Sequence, residues 1–185
     1  MKEKITLLMA LLLLPLYGRA ELVDIDVHNE ALRLNYQSNT LSTMQGLSGE
    51  VGLLYHENDK NIFHLGFAVQ GENWSNQGVF HIGMGGRLYI SNPDNYSLYA
   101  LGLGGWVRFS PMKRLGIGAQ IYHAPDIIAS GDADNFTEAA VRIDYQMIPQ
   151  AFIYIGHRYI ESDIKDRRFT LELEDQTHLG FRLLF

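Results

Sequence analysis

The stretch Ala139-Ala140-Val141-Arg142-Ile143-Asp144-Tyr145-Gln146-Met147 alternates without a break. Its odd positions are apolar, while Arg142, Asp144 and Gln146 fall on the even ones. A period of two places the two sets on opposite faces of a β-strand. The pattern recurs outward from this segment in both directions. Phe63, Leu65, Phe67 and Val69 oppose His64, Gly66, Ala68 and Gln70. Tyr99, Leu101, Leu103, Val107 and Phe109 oppose Gly102, Gly104, Trp106 and Arg108, and Leu115, Ile117, Ala119 and Ile121 oppose Gly116, Gly118, Gln120 and Tyr122. Strands are expected near 22–28, 31–37, 47–56, 62–72, 78–90, 96–109, 114–124, 135–147, 150–161 and 176–185. That is about ten strands, or eight without the short first two, an even count as bacterial barrels prefer. Polar clusters such as 56–61 and 91–95 separate them, and the charged stretch Glu161–Asp175 reads as a loop.

The N-terminus sets the compartment. Lys2 and Lys4 precede an apolar run from Ile5 to Leu16, too short to span a bilayer as a helix. Gly18 and Ala20 follow as the small residues of a cleavage site. Residues 1–20 therefore read as a secretory signal peptide, and 21–185 as one mature domain. Losing Lys2, Lys4, Arg19 and Glu3 moves the net charge from −6 to −8, which argues against nucleic acid as a partner. The chain has no Cys, which excludes a disulfide scaffold. No mature segment is apolar enough for a membrane helix, so any spanning falls to strands in a closed barrel.

A soluble sandwich would alternate too, but three features favour the membrane version. The strands run about 9–13 residues, as tilted membrane strands require. Aromatics collect at strand ends, with Tyr55, Phe63, Tyr99 and Tyr159 towards one rim and Phe80, Phe109, Tyr145 and Phe185 towards the other. The chain also ends on an alternating strand, Leu179, Phe181, Leu183 and Phe185. His178, Gly180, Leu183 and Phe185 match the spacing by which barrel-insertion machinery recognises its substrates. The expected fold is all-β: a closed antiparallel transmembrane β-barrel in the outer membrane of a Gram-negative-type envelope.

Four segments carry a family resemblance: Arg87-Leu88-Tyr89-Ile90-Ser91-Asn92-Pro93, Leu115–Asp126, Phe136–Arg142 and Tyr154–Ile160. They resemble the YfaZ-like family of outer-membrane proteins. The N-terminal third fits only in pattern, and Glu161–Asp175 has no counterpart. The resemblance implies a small barrel, often described as porin-like. It brings no catalytic residues, so none are carried over.

Candidate chemistry is sparse. The seven His, at 28, 56, 64, 81, 123, 157 and 178, show no ligand spacing, and no metal or cofactor is expected. His157 is expected to face lipid near the outer rim, with Ser162 in a loop beyond it, which makes a poor nucleophile–base pair. Asp59, Asp94, Asp132 and Asp134 fall in expected outer loops, and 131–135 lacks the spacing of a calcium loop. The inward face says more. It carries Arg33, Arg87, Arg108, Arg142, Arg158 and Arg182, with Asp24, Asp26, Glu50, Glu138 and Asp144 as partners. Either these charges line a pore or they pair and fill it. Inward glycines remove volume that Trp106, Tyr122, Tyr154 and the arginines put back, so paired charges are expected to close the middle.

The expected function is a porin-like barrel, at most a narrow passive channel for small ions, or a structural membrane protein, and not an enzyme. Alternatives are a lipid-modifying barrel enzyme and a loop-displaying adhesin-like protein. Expected partners are outer-membrane lipid, lipopolysaccharide and the insertion machinery, with the chain a monomer. Deleting Phe185 should sharply lower folded yield, read by heat-modifiable gel migration. An undiminished yield would remove the assembly role from the last strand.

Overall fold

A computed structural model describes residues 21–39, 46–58, 60–93, 96–165 and 169–185. The expected signal peptide, and Asp59 and Asp94, lie outside them. Eleven strands follow in order: β1 (Glu21–Val27), β2 (Ala31–Asn39), β3 (Gly46–His56), β4 (Ile62–Ser75), β5 (Gly78–Ser91), β6 (Leu98–Met112), β7 (Leu115–Ala124), β8 (Ala129–Gly131), β9 (Phe136–Ile148), β10 (Ala151–Ile164) and β11 (Phe169–Leu184).

Ten of these close a ring in which every pairing is antiparallel. Each strand pairs with its sequence neighbour, β7 pairs directly with β9, and β1 meets β11 from Leu22↔Leu184 to Val27↔Leu179. The three-residue β8 extends the line of β7. It pairs with Leu98–Ala100 of β6 after a 3-10 turn, Asp126–Ile128, interrupts the strand. The fold is thus the closed antiparallel transmembrane barrel, with ten strands. The two short N-terminal strands belong to it, and β1 closes the seam against β11.

Burial is the reverse of that in a soluble protein. Val69, Val141 and Leu179 are about 60% exposed on the outer wall, at 63%, 57% and 63%. Arg158 and Glu138 are 2% and 1% exposed inside. An apolar outer wall around a polar interior is the arrangement that lipid demands. Val141, Ile143, Tyr145, Leu179 and Phe181 all point outward, as alternation requires.

One boundary differs from the sequence expectation. Glu161–Asp175 is not a loop: β10 runs to Ile164 and β11 starts at Phe169. Ser162 accordingly lies within β10, fully buried, with its hydroxyl donating to the Asn135 carbonyl at 2.6 Å. The alternation there is genuine but inverted, since Ile160, Ile164 and Leu173 point inward while Tyr159, Glu161 and Glu172 point outward. These strands continue beyond the apolar band, where water replaces lipid on the outer wall and the ordinary apolar-inside rule returns.

The two ends of the barrel differ. Glu21 and Leu184, where the barrel begins and ends, lie at the end that carries the two-residue turns Asn76-Gln77, Lys113-Arg114 and Pro149-Gln150 and the 40–45 connection. The opposite end carries the longer connections, including 125–135. Placing a charge at the middle of the outer wall should cost about 2–4 kcal/mol. Val141→Arg is therefore expected to assemble poorly, while inward Ala140→Ser assembles normally, both scored by heat-modifiability. Equal behaviour of the two would contradict the assignment of faces.

Candidate functional site: the filled lumen

The lumen is built in layers along the barrel axis. At the long-loop end it is apolar. Leu54, Ile62, Leu98, Phe136, Ile160 and Leu173 form the centre of one buried cluster. Loop 125–135 folds over it and contributes Ala129 and Ala133. Its polar backbone is anchored: Asp132 accepts from the Ser97 N–H at 2.7 Å, and Asn135 Nδ2 donates to Asp163 at 2.6 Å. The Asp132 carboxylate thus already serves the loop's own fold. This apolar cap was not expected from the sequence, which put closure at the charged middle alone.

Beneath the cap lies the charged layer, centred on Glu138. Tyr89 donates its hydroxyl to Glu138 Oε2 at 2.6 Å, and Gln120 Nε2 donates to Oε1 at 2.8 Å. Arg87 Nη1 and Arg33 Nη1 approach it at 3.2 and 3.4 Å. Arg87 also grips Glu50 through both Nε and Nη2, and its guanidinium stacks 4.0 Å from the Tyr122 ring centroid. Planar, two-pronged pairing of this kind is what an arginine does best.

Further pairs fill the remaining levels. Arg158 bridges Asp26 at 2.7 Å and Glu174 at 3.3 Å. Arg182 and Tyr154 both hold Asp24. Arg108 grips Asp144 with two N–H groups. All the inward charges named from the sequence lie in this lumen, and Glu174 joins them from the segment read as a loop. Arg33 and Arg142 each reach a carboxylate through one contact of 3.4 Å, to Glu138 and Asp24, but Arg142 is the more exposed of the two and lies 5.7 Å from the Tyr154 ring centroid.

Glycines make the room. A Cβ at Gly180 would meet the Tyr154 ring, one at Gly66 would meet Glu50, one at Gly83 Trp106, and one at Gly116 Arg108. Each large inward group lies over a glycine on the next strand. Gly180 and His178, read in sequence as part of an assembly signal, are lumen residues, whereas Phe185 stands exposed on the outside.

Two histidine groups emerge that the sequence did not reveal. His28, His56 and Glu174 converge near the long-loop end, with one potential ligand atom of each within 4.8 Å of the others. They come from three distant segments, so no linear spacing marks them. His28 Nδ1 accepts the Glu30 N–H at 3.4 Å, and His56 Nδ1 accepts the Asn58 N–H at 3.2 Å. Those contacts leave the proton of each neutral ring on Nε2, the atom that faces the carboxylates. A protonated nitrogen cannot ligate, so this arrangement suits a metal centre poorly; His28 Nε2 lies 3.3 Å from Glu174 and His56 Nε2 3.9 Å from Glu30, neither as a formed hydrogen bond. On the outer wall, His157 Nε2 lies 3.0 Å from Asp175 Oδ1 and its Nδ1 3.3 Å from Thr177 Oγ1. An apolar groove lined by Met84, Gly105, Ala119, Ile121 and Ala139 runs up to His157.

Among solved structures, the chain is similar to the outer membrane channel DcaP of Acinetobacter baumannii (9% identity, TM-score 0.47), covering 93% of this chain and 60% of that one. It is similar to the KdgM porin (13% identity, TM-score 0.47; 90% and 99% covered) and the NanC porin (12% identity, TM-score 0.44; 89% and 98% covered). The chain thus spans 60% of the length of the DcaP channel. No curated protein sequence matches it. The family described as YfaZ precursor matches residues 1–185, and the chain belongs to that family.

Proposed function

We propose that this chain is a small porin-like barrel of the outer membrane, closed along its axis, which passes small ions at most and catalyses no reaction. One observation carries the reading: the polar lumen ends on an apolar cap held by loop 125–135. An ion entering from the termini end would have to part the Glu138–Arg87 layer and then dehydrate against Phe136, Ile160 and Leu173. The apolar outer wall supports a membrane site, and the family's description as a precursor supports an exported chain. The termini end, with its short turns, faces the periplasm, as in bacterial barrels generally. Lipid and lipopolysaccharide surround the wall, the insertion machinery is met during assembly, and the barrel works as a monomer.

A second reading has one specific observation in its favour. His157 with Asp175 and Thr177 beside an apolar groove is the kind of set a lipid-acyl hydrolase would use. Against it, a His–Thr contact recurs at His123 and Thr137, 3.0 Å apart, so such pairs also serve simply to join strands. Overexpression tests it, because an enzyme changes the mass of lipid A and a closed barrel leaves it alone.

Planar-bilayer recording should show little or no conductance in the wild type. Glu138→Ala should cost about 3–5 kcal/mol in urea unfolding, since it strands buried arginines, yet should not open the barrel, because the apolar cap is untouched. Large, steady conductance with sugar permeation in the wild type would overturn the closed reading. A jump in conductance in Glu138→Ala alone would move the closure back to the charged layer.

A further inference from the structure

Below the charged layer, towards the termini end, the lumen widens into a cavity of about 120 Å³. All six inward arginines line it, against three carboxylates, Asp24, Asp26 and Glu50. Asp144, Glu138 and Glu174 pair with those arginines without lining the cavity. The wall therefore presents more guanidinium than carboxylate, with Arg87, Arg108 and Arg158 partly neutralised by the acids behind them.

Arg142 is the most exposed of the six inward arginines. Its contact to Asp24 is long, and the Asp24 oxygen it reaches is already held by Arg182 through two N–H groups. Its side chain is 29% exposed, into this cavity, whereas that of Arg158 is 2% exposed. A guanidinium with spare N–H donors in a low-dielectric pocket is a natural seat for an oxyanion. Trp106 lines the same space with its indole, and Gln120 and Gln37 line it while donating to Glu138 and Gln70.

The approach is also charged for an anion. Among the described residues, the turns at the termini end carry Lys113 and Arg114, with Glu21 opening β1 at the same end. The connections at the far end carry Glu30, Glu57, Asp126, Asp132 and Asp134 against Lys60 and Lys165, a net acidic balance. Such a field favours anions from the termini side and disfavours them from the other.

We propose that this cavity binds a small oxyanion, a carboxylate or phosphate group, on Arg142, entering from the termini end. That this entry is periplasmic rests on the orientation given under the proposed function. The volume limits the ligand. A cavity of about 150 Å³ holds a benzene-sized molecule, so this one takes a single small acid or the acidic end of a longer molecule that projects out of the mouth.

The test uses the whole mature barrel refolded in zwitterionic detergent. Trp106 fluorescence in a Trp74→Phe background, with calorimetry, follows titration with inorganic phosphate or with glucuronate at fixed ionic strength. Saturable binding of either is expected, the tighter of the two naming the source of the oxyanion. Arg142→Gln should weaken it roughly tenfold or more, as loss of a charge-assisted contact does. If that variant fails to fold, Ala140→Leu, which fills the cavity without removing charge, should abolish binding instead. No saturable binding of either anion overturns the proposal. So does binding that survives both variants, or that is lost only when Lys113 and Arg114 are replaced by Ser. Because binding is read in detergent, an open pore in a bilayer would refute the closed barrel and leave this result standing.

Discussion

Hydrocarbon offers no partner to a backbone N–H or C=O, so a sheet that crosses it has to close on itself. Here the closing seam is β1 against β11, six register pairs between the two ends of the chain. The ring it completes dictates the rest. One face of every strand must be apolar, and the other must turn into a bore only ten strands around. At that circumference side chains can nearly fill the interior. Charges placed there have little water to solvate them and must find one another. Glu138 therefore collects a phenol, an amide and two guanidiniums, and Arg87 serves two carboxylates. Glycine is the complement: Gly66 gives way to Glu50, and Gly180 to Tyr154.

Much of this was legible in the sequence because period-two patterning is unambiguous where lipid bounds one face. The inward arginines and their main acids were assigned from parity alone, and the structure places them inside. Legibility fails where the solvent outside the wall changes. On β10 and β11 above the lipid band, outward Glu161, Glu172 and Asp175 face water while inward Ile160, Ile164 and Leu173 are apolar. Read with the lipid rule, that stretch is a charged loop. Read with the rule for soluble sheets, it is strand, and its inner face is the apolar cap. The histidine–Glu174 group escaped for another reason. Its members meet only because the β1–β2 turn, the end of β3 and the middle of β11 are neighbours around the ring, a fact that closure creates and local sequence does not contain.

The lumen is thus two compartments with different physics. The upper one is an apolar core, and its stability comes from apolar burial and from the hydrogen bonds that tie down loop 125–135. The lower one is polar and partly open, and its arginines differ in exposure, from Arg158, fully enclosed, to Arg142, the most open. Closure and residual polarity coexist because they lie at different depths.

The charges need a reason to exist, and stability is a poor one, because buried ion pairs often do no better than apolar residues of the same size. Register supplies the reason. A slip of one residue between paired strands sends every inward side chain to the outer wall. For β9 that would put Arg142 and Asp144 into lipid, and for β6 it would expose Arg108, at a cost of about 2–4 kcal/mol for each arginine near the midplane. Were the interior apolar, both faces of each strand would suit lipid and a slipped sheet would be nearly as stable as the correct one. Each Arg–carboxylate pair is satisfied in only one register, so the same groups that make the lumen polar also specify which face of every strand points inward.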